Sequence, residues 1–325
     1  MIKTYFYDYK SDSMIHDIDL LTKDELLLEP NNLLWIDLYN CSVAELNYIG
    51  DLFDFHPLAL EDCLQKDSPR AKIDEYEDYY FFVFHATQYD EEDEDEEITS
   101  IELDVFLGKN YVVTIHSVAL PAIGHIASVS LTDPKYMNQG TEYLLYCIVD
   151  MIVDESFPIL DKIGDRIDEL EDNIFLQRGR EINEELSTLR KTLILIRKVL
   201  IPQRNIFSNL QGRYSFFVKD ENMPYFLDLA DHLNSLLDTA NTYRDLVNSS
   251  METYYSVISA RTNEIITILT IISIIMMPLT VITGFYGMNV SLPGENNPDA
   301  VWFILLGMLM LSGGMLAFFR YRKWL

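Results

Sequence analysis

Basic residues, cysteines and histidines are all scarce in this sequence. Its 325 residues include 24 lysines and arginines against 52 aspartates and glutamates, a formal net charge of −28 at pH 7. Because such a chain repels phosphate, the composition argues against nucleic acid as the main partner and is compatible with cationic partners. The three cysteines, Cys41, Cys63 and Cys147, show neither a CxxC nor a disulfide-framework spacing. We interpret them as reduced, buried thiols in the cytosol.

Common catalytic and targeting signals are also missing. The sequence has no HExxH spacing, no P-loop and no GxSxG elbow, which argues against an enzyme. The N-terminal "MIKTYFYDYKSD" lacks the basic end and continuous apolar stretch of a signal peptide, so we expect roughly the first two hundred residues to stay in the cytoplasm. We expect packing and surface roles for the six histidines, which are His16, His56, His85, His116, His125 and His232.

Two long apolar runs lie near the C-terminus. Residues 265–288 form 24 positions without a charge, and residues 300–319 form another 20. A helix needs about 20 residues to span the hydrocarbon of a bilayer. A buried core hairpin is the alternative, but two charge-free runs at the end of a highly charged chain favour two transmembrane helices.

The charges that flank these runs predict their orientation. Loop 289–299 holds no lysine or arginine, whereas Arg261 precedes the first run and "RYRK" at 320–323 follows the second. The positive-inside rule then places both ends in the cytoplasm and the short loop outside. Pro278 lies deep in the first span, where we favour a passive kink over a hinge.

Upstream of the spans, the apolar spacing predicts long amphipathic helices. The first follows Leu160, Ile163, Ile167, Leu170 and Ile174, and the second follows Ile182, Leu186, Leu189, Leu193, Ile196 and Leu200. After Pro224 neither proline nor glycine interrupts the chain before Pro278. Residues 224–286 therefore predict a single helix roughly 90 Å long, at 1.5 Å per residue.

The first 128 residues have a different pattern. Short strand-like runs, "LLWIDLY", "YYFFVFHA", "IELDVFLG" and "NYVVTIH", alternate with helical pieces, and a turn at 108–110 joins the last two runs. This mixture predicts an α/β domain. Residues 90–97, "DEEDEDEE", are eight consecutive acids, which are most often a solvated turn and occasionally a cation site.

The sequence "YGMN" at 286–289 closes the first span, and together with "RYRKWL" after the second span it resembles the CorA family of divalent-cation channels. The resemblance extends through "MPYFLDLADH", "YRDLV", "LRKTLILIRKVL", "FHPLALEDC" and "WIDL", and so covers most of the chain. It implies a funnel-shaped homopentamer in the plasma (inner) membrane, in which the first span of each subunit lines an axial pore and the second surrounds it.

These observations predict an α+β multidomain membrane protein. We expect a cytosolic α/β domain at 1–128, a cytosolic helical bundle and stalk at 129–262, and a transmembrane pore domain at 263–325. The lipid bilayer, divalent cations and identical subunits are the expected partners. Mg²⁺ would be both substrate and regulatory ligand, with no resident cofactor.

One face of the first span is polar or small, and we call it the polar stripe. It consists of Asn263, Thr267, Thr270, Ser273, Met277, Thr280 and Gly284, which recur at steps of three and four. Such a face suits a water-filled pore; alternatively, the hydroxyls bond back to carbonyls one turn earlier or hold neighbouring helices together. In the second span, "SGG" at 312–314 suggests a close helix contact.

The resemblance assigns ion selection to Gly287, Met288 and Asn289. Mg²⁺ sheds its water reluctantly, so a ring of Asn289 amides with nearby carbonyls could accept hydrogen bonds from a hydrated ion. A helix C-cap is the alternative role for Asn289, and both roles can hold together. Further inward, Leu269 and Met277 match positions that narrow the pore in the family, and Asn263 matches a polar ring at its cytoplasmic end.

The family resemblance also implies regulatory metal binding between cytosolic domains of adjacent subunits. Asp228 matches the stalk acid, Asp90 lies where the facing acid would be, and Asp150 and Asp154 are weaker candidates. Opposed carboxylates repel unless a cation bridges them, so low internal Mg²⁺ would loosen the contacts and open the pore. The alternative for Asp228 is an ordinary surface acid.

The outer loop departs from the family pattern. It reads "SLPGENNPDA" where many family magnesium channels carry Met-Pro-Glu-Leu, although Glu295 and Asp299 could still attract cations at the mouth. This departure leaves Co²⁺, Ni²⁺ and Zn²⁺ open as alternatives. The unaltered Gly-Met-Asn, and spans that contain neither histidine nor cysteine, favour Mg²⁺. A membrane-anchored sensor or scaffold without conduction is the second alternative, and it would need no polar stripe.

Overall fold

The structure is a computed structural model that describes residues 1–65, 70–89, 98–176, 179–208, 218–288, 299–322 and 324, with the backbone alone at 175, 176 and 179–181. Within these residues the chain forms two compact units, Met1–Ser250 and Met251–Leu325. The acidic run at 90–97 lies outside the described residues.

A mixed sheet forms the centre of the first unit. Its strands are β1 (Ile2–Asp8), β2 (Ser13–His16), β3 (Leu33–Tyr39), β4 (Lys72–Glu75), β5 (Tyr79–Tyr89), β6 (Ile98–Gly108) and β7 (Tyr111–His116). Their order is β2-β1-β3-β7-β6-β5-β4, in which β3 and β7 are parallel and all other neighbours antiparallel. The predicted α/β domain is therefore confirmed.

The four strand-like runs recognised in the sequence are β3, β5, β6 and β7. The predicted turn between β6 and β7 is also confirmed, because these two strands pair antiparallel. Gly108 is needed there, since a Cβ would lie 2.2 Å from the ring of Tyr111. Sequence reasoning missed β1, β2 and β4; β2 and β4 are four-residue strands at the two edges of the sheet, too short for a clear alternation.

Helices alternate with the strands of the sheet and make up most of the C-terminal half of the chain. They are α1 (Lys23–Leu26), α2 (Val43–Phe53), α3 (Pro57–Leu64), α4 (Pro121–Val129), α5 (Thr141–Asp154), α6 (Ser156–Leu176), α7 (Gly179–Ser208), α8 (Met223–Tyr286) and α9 (Ala300–Tyr321). His56 caps α3, since its Nδ1 accepts a hydrogen bond from the Leu58 amide at 3.2 Å.

The helical predictions follow the observed burial closely. The predicted apolar positions of α6 and α7, including Ile167 and Leu193, are all buried. Helix α8 begins one residue before the predicted start and runs 64 residues without a break, about 96 Å at 1.5 Å per residue. Pro278 lies inside this helix.

The three cysteines are free thiols, as predicted, but only Cys147 is fully buried. Cys41 and Cys63 are half-buried because they lie near the ends of β3 and α3, where the sheet core gives way to loops. The expectation of burial was therefore wrong for these two.

Helices α8 and α9 are both long and apolar enough to cross a membrane. In their most apolar stretches only 6% of α8 and none of α9 is buried within the chain. A soluble core hairpin would hide these side chains, so the structure argues against that alternative. Exposed apolar surface of this length is suited to lipid or to a second copy of the helices.

Candidate functional site

The polar stripe lies along the part of α8 that belongs to the second unit. Six of its seven members are exposed in the single chain and Thr267 is half-buried. Most apolar side chains on this part of α8 are exposed as well, including Ile265 and Val281, and Ile271 at 3% is an exception. The stripe therefore differs from the rest of this segment in its residue types, and within the chain its side chains are open to water or to other subunits.

The hydroxyls of the stripe bond along their own helix. Thr267, Thr270 and Ser273 each donate to the carbonyl four residues earlier at 2.7–2.8 Å, and Thr280 does so at 2.9 Å. The alternative that these hydroxyls bond back to carbonyls one turn earlier is therefore correct for their protons. Each hydroxyl oxygen can still accept a hydrogen bond, since a hydroxyl has one proton and two lone pairs.

Two apolar residues on the exposed part of α8 are those that the family resemblance assigns to pore narrowing. Met277 is 73% exposed and Leu269 is 63% exposed in the single chain. Large apolar side chains held out from a helix can close a pore by excluding water.

Helix α8 ends at Tyr286, directly before the Gly-Met-Asn triplet. The Gly287 amide donates to the Thr283 carbonyl at 2.8 Å. A Cβ at Gly287 would lie 2.9 Å from that same carbonyl oxygen, so this close approach requires glycine. Met288 is exposed, Asp299 directly precedes α9, and Asn289 and Glu295 lie outside the described residues.

The close contact expected at "SGG" of the second span was wrong for the single chain. A Cβ added at Gly313 or Gly314 would meet nothing within 4 Å. Gly314 instead borders an apolar cavity of about 520 Å³ that Ile274 of α8 also lines. The helices therefore leave a gap at this level of the second unit.

Three residues predicted from the sequence, Asp150, Asp154 and Asp228, lie around His232 in the first unit. We call the set Asp150, Asp154, Asp228 and His232 the cytosolic cluster, after the location that the sequence predicts for this unit. The first two residues are one turn apart on α5, and the last two are one turn apart on α8. Nδ1 of His232 lies 3.6 Å from Oδ1 of Asp150 and 3.6 Å from Oδ1 of Asp154. Its Nε2 lies 3.7 Å from Oδ2 of Asp228.

These separations are close enough for charge interaction but too long for good hydrogen bonds. Ligand atoms of Asp150, Asp154 and His232 all lie within 4.8 Å of one another, a spacing that could hold one metal ion. Among the described residues, Oδ1 of Asp150 and Nδ1 of His232 are buried without a hydrogen-bond partner. Carboxylates and imidazole together form a donor set that divalent cations accept.

The electrostatics of the cluster favour a bound cation. Burial raises the pKa of Asp150, and the charges of Asp154 and Asp228 raise it further against the opposing effect of His232. Burial, followed by the charge of Asp150, also raises the pKa of Tyr146. The cluster is therefore short of positive charge, which a metal ion would supply.

Sequence reasoning missed His232, for which it expected only packing or surface contact. The signal was present, since Asp228 and His232 are four residues apart on one predicted helix face. Tertiary structure was needed to place them opposite Asp150 and Asp154. Asp90 lies outside the described residues.

The chain is similar to known metal-ion transporters along most of its length. Residues 30–322 match the family model described as CorA-like Mg²⁺ transporter protein. The cobalt/magnesium transport protein CorA of Thermotoga maritima is 34% identical over 288 residues, covering 85% of this chain and 79% of its own. CorA of Methanocaldococcus jannaschii is 31% identical over 306 residues, covering 93% and 94% respectively.

Solved structures show the same fold. The complete structure of the CorA magnesium transporter from Methanocaldococcus jannaschii has a TM-score of 0.85 at 28% identity, and the match covers 100% of this chain and 99% of that one. Both the sequence and the full-length fold therefore match along nearly the whole chain. We conclude that this chain belongs to the CorA-like Mg²⁺ transporter family.

Proposed function

We propose that this divalent metal ion transporter is a Mg²⁺ channel built from five identical subunits. In this proposal α8 of each subunit lines a central pore across the plasma (inner) membrane, and both termini lie in the cytoplasm. Residues 1–128, 129–262 and 263–325 would act as the α/β domain, the helical stalk and the pore. The polar stripe is the main support for the proposal, because it places uncharged oxygens along the membrane-length part of α8, which is otherwise apolar and exposed.

The pathway would suit a hydrated ion. The hydroxyls of the stripe donate to their own helix, so their free lone pairs can accept hydrogen bonds from metal-bound water. Neutral oxygens hold a dication weakly, which lets it move on to the next position. Rings of Leu269 and Met277 would close this path when the helices approach one another, because apolar constrictions exclude water.

At the outer mouth, Gly287 and Met288 would present backbone carbonyls and Asn289 its amide oxygen to the arriving ion. Hydrated Mg²⁺ could then be selected without losing its inner water shell, which it releases slowly. Glu295 and Asp299 would raise the local cation concentration by charge attraction.

The cytosolic cluster would report internal Mg²⁺. A cation held by Asp150, Asp154 and Asp228 would offset their mutual repulsion, and Asp90 of a neighbouring subunit would complete the site. Loss of the ion would restore the repulsion, weaken contacts between subunits and favour the open pore. Flux would then fall as the cytosol fills with Mg²⁺.

Flux into liposomes tests the proposal. Full-length protein should carry Mg²⁺ down its gradient, and Asn289→Ala should abolish the flux while the protein still assembles as a pentamer. Absence of flux in correctly assembled wild-type protein would contradict a channel and favour a membrane-anchored sensor or scaffold.

A channel for Co²⁺, Ni²⁺ or Zn²⁺ on the same scaffold is the second candidate. It is favoured by the similarity to two relatives that are named cobalt/magnesium transport proteins. Running the same flux assay with each metal alone, at equal driving force, separates the candidates. Faster transport of a transition metal than of Mg²⁺ would favour the second.

A further inference from the structure

A large cavity lies within the first unit, and none of its lining residues belongs to the cytosolic cluster. Its volume is about 1000 Å³, and residues of β5, β6, β7, α3 and α7 line it. Sites for small molecules occupy roughly 300–1000 Å³. A cavity of this size is large enough for a small organic molecule, many times the roughly 30 Å³ that one water occupies.

One carboxyl oxygen in the cavity wall is buried without a hydrogen-bond partner among the described residues. Asp104 on β6 is only 3% exposed, and its Oδ1 has no hydrogen-bond partner among the described residues. Burial, followed by the charge of Glu102, raises its pKa well above the ordinary value despite opposing effects of Cys63 and Lys72. A buried carboxylate in this condition calls for a donor or a positive charge from another molecule.

Glu102 strengthens the negative character of the same wall. It lies two residues before Asp104 on β6, so both side chains point to the same face of the sheet. Its cross-strand neighbour is His85, whose Nε2 lies 3.8 Å from a Glu102 carboxylate oxygen. Lys198 of α7 also lines the cavity, but its side chain is exposed.

Direct metal binding is less suited to this wall than binding of an organic cation. Among the described residues, three or more metal-ligating side chains converge only at Asp150, Asp154 and His232. Mg²⁺ needs near-octahedral oxygen ligands, which Asp104 and Glu102 alone do not provide. A planar amidine or guanidine group can instead donate two parallel N–H bonds to one carboxylate.

We propose that this cavity binds a small organic cation that carries an amine or guanidine group, with Asp104 as its main acceptor and Glu102 as the second. An N–H group of the cation donates the hydrogen bond that Oδ1 of Asp104 lacks among the described residues. The first unit then carries an organic-cation site whose lining residues differ from those of the proposed metal sensor.

Isothermal titration calorimetry on the full-length chain in detergent micelles tests this proposal, with agmatine as the first probe and putrescine as the second. Agmatine should bind saturably at one site per chain. Asp104→Asn should weaken that binding at least about tenfold, because the amide keeps the shape of the group but loses its charge. Asp51→Asn, an exposed acid on α2 outside the cavity, should bind like the wild type.

A second variant keeps the test decisive if Asp104→Asn does not fold. Ser100→Trp places a large ring at an exposed position that lines the cavity, and it should block agmatine while leaving thermal unfolding unchanged. The proposal is overturned if neither amine binds saturably, or if both cavity variants bind agmatine like the wild type. It is equally overturned if MgCl₂ alone binds there with the same dependence on Asp104.

Discussion

The polar stripe and the cytosolic cluster offer oxygen to cations in opposite ways. In the stripe, Thr270 and Ser273 carry neutral hydroxyls that are exposed and already donate to their own helix. In the cluster, Asp150 and Asp228 carry charges that converge on His232 from two helices. Neutral acceptors suit an ion in transit, whereas converging charges suit an ion that stays bound. This contrast supports the proposal that the stripe belongs to an ion path and the cluster to a sensor.

Adding a positive charge to the polar stripe should have the largest effect on Mg²⁺ flux. Thr270→Lys would add one positive charge per subunit at the level of the stripe, and like charges brought together cost several kcal/mol. We expect Mg²⁺ flux into liposomes to fall by roughly 100-fold or more. Thr270→Ser keeps the hydroxyl and should conduct like the wild type. Undiminished flux in the lysine variant would place this face of α8 away from the ions.

Weakening the sensor should alter regulation while leaving the open pore intact. Asp228→Asn removes one of the charges around His232, and loss of such a group weakens metal binding by roughly tenfold or more. The internal Mg²⁺ concentration that halves flux should rise by about the same factor. Asp231→Asn, an exposed acid on the same helix outside the cluster, provides the matched control. Equal inhibition of both variants would remove Asp228 from the sensor.

Adding a single methyl group at Gly287, at the proposed mouth of the pore, should reduce Mg²⁺ flux. Gly287→Ala brings a Cβ to 2.9 Å from the Thr283 carbonyl, so the backbone must shift. About 1 kcal/mol of strain corresponds to roughly a fivefold loss of flux. Gly313→Ala adds the same methyl where nothing lies within 4 Å and should be neutral. If the two variants conduct alike, the close approach at Gly287 has no role in conduction.

The His116–Asp37 pair shows how a single carboxylate affects a buried histidine, in contrast to the several acids around His232. His116 on β7 donates from Nδ1 to the Val118 carbonyl at 2.6 Å, and its Nε2 lies 3.1 Å from Oδ1 of Asp37. Burial lowers the pKa of His116, but the hydrogen bond and charge of Asp37 outweigh it, so the net pKa is raised. This pair is internally balanced, whereas the cluster around His232 has an excess of acids.

The His116 pair predicts a small pH dependence of stability. Because the folded pKa lies above the unfolded value of about 6.5, the stabilisation is complete below that pH and is lost as pH rises through the folded pKa. We expect roughly 1 kcal/mol or less, measured by thermal unfolding across this range. Asp37→Asn should flatten the dependence and Asp51→Asn should retain it. A stability that rises over this window would contradict the assignment.

Much of the helical architecture could be predicted because its signals are local. Ile167 and Leu193 lie on regular apolar faces whose period matches that of a helix, and the start of α8 was predicted to within one residue. The central strands were likewise recognisable as apolar runs. Edge strands β2 and β4 were missed because four residues at the edge of a sheet carry too little pattern.

The candidate sites divide in the same way. The residues of the polar stripe all lie on one helix, so their common face follows from the helical period alone. The Gly-Met-Asn triplet is consecutive in the chain and is recognisable without tertiary structure. The cytosolic cluster joins residues about eighty positions apart, and the environment of Asp104 depends on strand register and helix packing. The sequence by itself therefore determined which faces the helices present and where the membrane-length segments lie. Only the tertiary structure decided which distant charges meet, because burial and convergence arise from packing between elements.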